Sequence, residues 1–351
     1  MRADRPVLLV TNHVPPERVG AFRALHARVG LELALYGGRS IHATEGVDDP
    51  GVPFRFVSQR AVHALAASGR YRAVIAGTTG RTALPAAWRG ARRARVPFVL
   101  WTALWAHPRT PAHIPGAALL RAIYRDADAI ATYGPHVSAF VRARGATRVV
   151  EAPQAVDAAF WEAVAEPERA APFTVTFVGR DVREKGLRVL ATAWRSSGLT
   201  GPLAALVLVG VEPGETSLGA GGAVTAAGHQ PPEKVRNFLA GSDVLVVPSI
   251  RTRRFREPWG LVVNEAMHRS VAVIASDEVG AAAGGLVRDD QTGLVVPAGD
   301  HYALTVALRR LHDDPALRER LAAAGHDAVR AYTFEAWADG MARALAAAGV
   351  R

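Results

Sequence analysis

The chain has 351 residues, 49% of them apolar and 21% charged, ordinary values for a globular protein large enough for two domains. It contains no cysteine, which excludes disulfides and thiolate metal sites, and no apolar run near the roughly 18 residues of a membrane span. The net charge of +10 suits phosphorylated substrates or anionic lipid, but no nucleic-acid motif accompanies it, so no nucleic-acid partner is expected. The start, MRADRPVLLVTNH, has too short an apolar run for a signal peptide, and a cytoplasmic location is expected.

Strands are predicted at 7–10, 31–36, 54–57, 73–76, 98–101, 129–132 and 148–150. Helical stretches at 17–29, 82–95, 116–127 and 136–145 separate most of them, which predicts a parallel, doubly wound sheet. Ligands of such sheets sit beyond the C-terminal strand ends. The first end is Thr11-Asn12-His13-Val14-Pro15-Pro16, before a helix containing Gly20; a polar turn is the simpler reading, ligand contact the alternative. Gly77-Thr78-Thr79-Gly80-Arg81 also reads as turn chemistry, with anion binding as the alternative. The next helix carries Arg89, Arg92, Arg93 and Arg95 near Trp88. A solvated basic face is the simpler account, and weak peripheral binding to the inner face of a membrane through this domain is the second.

The segment 98–115 leaves a strand with His107, Arg109 and His113 on one loop. A loop histidine is usually structural, but His107 is also a candidate proton handler. Asp126-Ala127-Asp128 imitates a D-x-D metal motif, yet it joins a helix end to a strand, so a cap and turn are expected and no metal. The stretch 161–172 reads as linker.

A second alternation has strands near 173–178, 205–209, 223–226, 244–247 and 271–275. The first ends in Gly179-Arg180-Asp181-Val182-Arg183-Glu184-Lys185-Gly186, where glycine permits a sharp turn and two cations five apart can bracket a diphosphate. LGAGGA, 218–223, reads as a flexible loop; His229 follows the next strand, as a base neighbour or a turn residue. In the insertion-like Arg251-Thr252-Arg253-Arg254-Phe255-Arg256, one arginine is a candidate for phosphate and the rest are expected in solvent. Glu257-Pro258-Trp259-Gly260 then leads into a helix with Glu265 in its second turn. Helical side chains tilt toward the N-terminus, so Glu265 should point back at the loop of Glu257. Two carboxylates with seven residues between them would then share a cleft with the unbonded N–H groups of that helix start. Asp300 is predicted to cap a helix over 301–311, and Asp314-Pro315 to start another.

The wording PS…EPWGLVVNEAM, preceded by GR…EKG, resembles the donor site of retaining family 4 glycosyltransferases of the GT-B fold. Their signature is Glu, seven residues, Glu. The resemblance implies an α/β GT-B protein: two Rossmann-like doubly wound domains facing a central cleft, with a C-terminal helix crossing back to the N-terminal domain. Residues 1–160, with 333–351, would form the acceptor-binding domain and 173–332 the nucleotide-sugar donor domain.

By the same resemblance Glu257 contacts the donor sugar, Glu265 holds the ribose, and Arg180 and Lys185 hold the diphosphate beside Gly179. Pro258, Trp259, Gly260, Leu261 and Val262 would line the donor, with His229 near the base. The family's glycine pair is missing near Asn12, His13 and Gly20, and Ala103 stands where its acceptor-side histidine would fall. His107 and Arg109 are the substitutes on that side. The implied activity is metal-independent transfer, with retention, from a UDP- or GDP-sugar to a hydroxyl acceptor of unspecified class, without a cofactor. The alternatives are a donor-splitting synthase of the same family, a catalytically silent nucleotide-sugar-binding subunit, and a nucleotide-sugar epimerase of similar fold.

Overall fold

A computed structural model describes residues 5–37, 47–80, 82–108, 110–199, 201–214 and 224–350. Arg81, Arg109 and the glycine-rich 218–223 lie outside the described residues. The chain divides into two compact units, Met1–Asp157 with Tyr332–Arg351, and Ala158–Ala331.

The first unit is built on β1 (Val7–Thr11), β2 (Leu31–Leu35), β3 (Phe54–Phe56), β4 (Ala73–Gly77), β5 (Phe98–Thr102), β6 (Ala129–Thr132) and β7 (Val149–Glu151). All pairings are parallel, in the order β3-β2-β1-β4-β5-β6-β7. Helices α1 (Val19–Val29), α2 (Val62–Ala66), α3 (Ala83–Ala94), α4 (Ile114–Asp126) and α5 (Pro135–Arg142) make the crossovers. Alternate strand residues enter opposite cores: Val7 and Leu9 pack with Phe22 and Leu25, Leu8 and Val10 with Leu84 and Ala87. A sheet covered on both faces explains why these strands read as continuous apolar runs. The strand order reverses between β1 and β4, so a crevice opens beyond Thr11 and Gly77.

The second unit repeats the plan. After α6 (Ala158–Glu162) come β8 (Phe173–Val178), β9 (Ala204–Val209), β10 (Val224–Gly228), β11 (Val244–Val247), β12 (Ala272–Ser276) and β13 (Leu294–Val296), paired in parallel as β10-β9-β8-β11-β12-β13. The helices are α7 (Leu187–Ser197), α8 (Pro232–Ala240), α9 (Val262–His268), α10 (Gly280–Ala283), α11 (His301–Asp313) and α12 (Pro315–Val329). Order reverses between β8 and β11, placing the second crevice between the two strands that bear the charged motifs. Asp300 caps α11 by accepting from the N–H groups of Tyr302 and Ala303, and Asp314 caps α12 by accepting from Leu317. The three-residue β13 is too short to show periodicity and is not among the predicted strands.

The stretch expected to be linker is instead fastened to the second unit. Glu166 N–H donates to Asn237 Oδ1, Lys234 pairs with Glu168, and a Cβ on Gly241 would lie 2.3 Å from the Glu168 carbonyl oxygen. The last helix, α13 (Phe334–Ala347), lies on the first unit, with Trp337 and Met341 fully buried in the core shared with β1 and α1. Gly340 lets it approach β7 closely, since a Cβ there would sit 2.5 Å from Ala152 Cα.

Candidate functional site

In the second unit the loops after β8 and β11 are stitched into one charged surface. Gly186 ends the first loop at φ +69, and a Cβ on it would lie 1.9 Å from the Pro248 carbonyl oxygen. Only glycine fits that conformation and that approach. Ile250 N–H donates to Glu184 O at 2.9 Å, a second tie between the loops. Lys185 Nζ then meets Glu257 Oε2 at 2.6 Å, and Ser249 Oγ donates to the same oxygen at 3.2 Å. Glu257 is only 4% exposed, and a carboxylate so buried requires such partners. An ammonium group has three donors and Glu257 takes one, so Lys185 is oriented with donors beyond that pair. Arg180 and Arg183 are exposed on the same loop.

The Glu257-Pro258-Trp259-Gly260 turn is set by packing. A Cβ on Gly280 would lie 2.0 Å from the Pro258 carbonyl oxygen, and Ala281 N–H donates to Trp259 O at 2.8 Å. Gly260 has φ +88. The Trp259 side chain does not line a donor site as expected: it is 2% exposed, with its indole N–H bonded to Asn264 Oδ1 at 2.7 Å. It is a scaffold for the turn. Helix α9 starts at Val262, which puts half-buried Glu265 in the first turn rather than the second. Pro258, Leu261 and Val262 are partly exposed and Gly260 is buried. His229 is exposed just past β10, its backbone N–H donating to Glu212 Oε1 at 3.1 Å.

In the first unit, the ends of β1, β5, β6 and β7 converge on Arg18, which is 6% exposed. Its Nη2 donates to Gln154 Oε1, and its guanidinium lies 5.7 Å from the Trp101 ring and 5.9 Å from the Tyr133 ring. Nothing in linear spacing links these four residues. The Asn12 carbonyl accepts from Gly37 N–H at 2.8 Å, which is turn chemistry. His13 is half-buried beside Glu17; burial lowers its pKa against the opposing pull of that carboxylate.

Two acceptor-side expectations are corrected. A Cβ on Gly20 would fall 2.3 Å from the Phe334 ring, so this glycine seats α13 against α1 rather than shaping a ligand loop. His107 lies among Tyr124, Phe140 and Arg144, with ring centroids 5.9 Å from Tyr124 and 5.2 Å from Phe140. Both of its ring nitrogens are enclosed, with no hydrogen-bond partner among the described residues, so neither is open to an acceptor hydroxyl. Burial first, and the Arg144 charge second, push its pKa down, keeping it neutral at pH 7. Asp126 and Asp128 both pair with Arg92 at 2.8 Å, Asp128 also accepting from Phe98 N–H. The pair is structural, and one arginine of the basic helix is consumed by it.

Residues 162–327 match the family described as Glycosyl transferases group 1. These residues belong to that family. Over 96 residues the chain is 41% identical to a phosphatidyl-myo-inositol mannosyltransferase of Mycobacterium leprae, covering 27% of this chain and 24% of that protein. Over 123 residues it is 35% identical to a D-inositol 3-phosphate glycosyltransferase of a Nocardioides species, covering 33% and 25%. The chain thus spans about a quarter of the length of these two curated relatives. Among solved structures, Anabaena HepE in complex with UDP and glucose aligns with 97% of this chain and 99% of its own, at TM-score 0.74 and 17% identity. Likeness at that identity gives the fold, which is GT-B. The matched family region contains every charged motif residue of the second unit, from Arg180 to Glu265.

Proposed function

We propose that this protein is a retaining glycosyltransferase of family 4 that transfers a sugar from a UDP- or GDP-sugar to a hydroxyl acceptor, without a metal. The observation that carries the reading is the Lys185–Glu257 pair, 2.6 Å long, formed between the two loops at the switch point of a group 1 domain. As the glycosidic bond breaks, negative charge grows on the departing diphosphate. Fixed cations positioned beforehand stabilise that charge, and Arg180 and Lys185 are the cations at the strand end. They supply the role a divalent ion would otherwise fill. Glu257 is buried and engaged by Lys185 and Ser249, which supports its orienting the sugar rather than attacking it. Attack would then come from the acceptor on the face the leaving group departs from, with the leaving phosphate taking the acceptor proton. Glu265 would hold the ribose.

The test is thermal stabilisation across a panel of UDP- and GDP-sugars, repeated with Glu265→Ala and with EDTA, followed by donor turnover. A shift for one donor, lost in the variant and indifferent to EDTA, is the expected result. No shift for any donor in well-folded protein would sink the reading. The names of the two curated relatives, a mannosyltransferase and an inositol phosphate glycosyltransferase, support a hexosyl donor.

A further inference from the structure

The segment between β11 and Glu257, Arg251 to Arg256, is left unused by the chemistry above. It is not a slack loop. Thr252 N–H donates to Phe255 O at 2.9 Å, and Thr252 Oγ1 accepts from the N–H groups of Arg254, at 3.3 Å, and Phe255, at 3.0 Å. Arg256 is fixed at the far end by Glu278, and Ile250 at the near end by Glu184 O. The turn therefore presents Arg251, Arg253 and Arg254, all exposed, from a frame pinned at both ends.

The charges around this frame do not balance. Residues 179–186 and 250–257 hold seven arginines and lysines against three carboxylates, Asp181, Glu184 and Glu257, and Glu278 offsets only Arg256. The remaining excess is larger than the pair of charges on a diphosphate bridge. Arg180 and Lys185 already stand at the strand end assigned to that bridge, so the excess lies on the 251–254 turn. Clustered guanidinium groups recognise phosphate and carboxylate through paired, charge-assisted hydrogen bonds.

We propose that the Arg251–Arg254 turn reads a further anionic group, phosphate or carboxylate, carried by the acceptor or by the transferred sugar. The proposal rests on the sugar-nucleotide reading above for what else is bound. The turn leads directly into Glu257, so its reach covers the sugar being transferred and whatever stands next to it. A phosphorylated or acidic sugar is the substrate class this selects, and neutral sugars are disfavoured.

The experiment titrates glucose 6-phosphate, glucuronate and glucose calorimetrically into the wild type and into the combined variant Arg251→Gln, Arg253→Gln, Arg254→Gln, each with and without UDP. These side chains are exposed, so folding of the variant should be intact, with circular dichroism as the check. The expected result is binding of the two anionic sugars but not glucose, weakened at least about tenfold in the variant while UDP affinity changes little. Thr252→Val, which keeps every charge but loosens the turn, should give a smaller loss in the same direction. Comparing hydrolysis of UDP-glucuronate and UDP-glucose separates the sources. A preference for the acidic donor that the variant loses puts the anion on the transferred sugar; glucose 6-phosphate binding that strengthens with UDP puts it on the acceptor. Equal binding of anionic sugars by wild type and variant overturns the proposal, as does wild type that binds them no better than glucose. Failure of both UDP and GDP, each titrated alone, to bind would instead overturn the sugar-nucleotide reading, while variant-sensitive binding of the anionic sugars without nucleotide would still uphold the turn.

Discussion

The two units share one plan, a doubly wound parallel sheet with a crevice where the strand order reverses, yet they finish that crevice with opposite chemistry. In the second unit the strand-end loops are tied by opposite charges and by backbone approaches that only glycine allows: Lys185 to Glu257, Arg256 to Glu278, Gly186 against Pro248, Gly280 against Pro258. In the first unit the buried cation, Arg18, is held by an amide and two aromatic faces, with no carboxylate partner among the described residues. An ion pair can exchange one anion for another when a phosphate arrives. A guanidinium between rings holds its geometry without any anion. The second unit thus holds its cations in exchangeable ion pairs, and the first holds Arg18 without one among the described residues.

The sharpest way to break that contrast is Lys185→Ala. On the proposed reaction it removes a cation from the departing diphosphate, and it leaves Glu257 buried without its ion-pair partner. Turnover should fall by about a hundredfold to a thousandfold, the scale of losing one preorganised stabilising donor. Stability should fall as well, by roughly 3 kcal/mol, as expected when one member of a buried pair is deleted. Glu257→Gln in the same protein should restore part of the stability and none of the turnover. Steady-state rates and urea titrations of the three proteins make the check.

Next in size is Gly186→Ala, which tests whether the loops are held by backbone contact as well as charge. With φ at +69 and a carbonyl oxygen 1.9 Å from the new methyl group, the loop must shift off β11. A loss of about 3 kcal/mol is expected, with nucleotide binding weakened in parallel. Full stability with unchanged binding would show the two loops to be independent.

This difference between the units also governs what the sequence revealed. The second unit's site is nearly linear: its charged residues follow β8 and β11 in two short strings whose glycines mark the turns, so Gly179 to Gly186 and Glu257 to Glu265 stand out. What the string hid was the partnership of Lys185 with Glu257, residues 72 apart in sequence, and the burial of Trp259, because neither depends on local spacing. The first unit's strand ends were read mainly through histidines and a glycine. Burial decided otherwise, enclosing His107 and using Gly20 for packing. Arg18, Trp101, Tyr133 and Gln154 come from four separate strand ends, and only the sheet order brings them together. The strands themselves were legible throughout because sheets buried on both faces demand unbroken apolar runs; β13, three residues long, was the exception.

A smaller effect is expected from Gly20→Ala. The new methyl group would press on the edge of the Phe334 ring, a side chain with some freedom to turn, so the cost should be about 1–3 kcal/mol. Because the contact joins α1 to α13 within the first unit, the loss should appear in the unfolding of that unit and leave UDP binding unchanged. Loss of UDP affinity equal to that of Gly186→Ala would contradict the division of labour between the units.

The mildest and most discriminating change is His107→Phe. Burial and Arg144 hold the His107 pKa below its unfolded value of about 6.5, so the unfolded chain takes up the proton first. Its contribution to stability is therefore complete above pH 6.5 and is lost as pH falls through the folded value. Burial likewise lowers the pKa of His268 in the second unit, with Glu162 opposing, so the whole protein should weaken on acidification and His107→Phe should remove only part of that fall. Phenylalanine fits an aromatic neighbourhood of Tyr124 and Phe140 and brings no polar atom of its own. Stability at pH 8 should hold, the loss between pH 7 and pH 5 should shrink, and turnover should stay within about threefold of the wild type. A collapse of turnover with intact stability would instead mean that the loop opens during the reaction and returns His107 to the acceptor, giving the first unit a proton-handling part that its resting structure conceals.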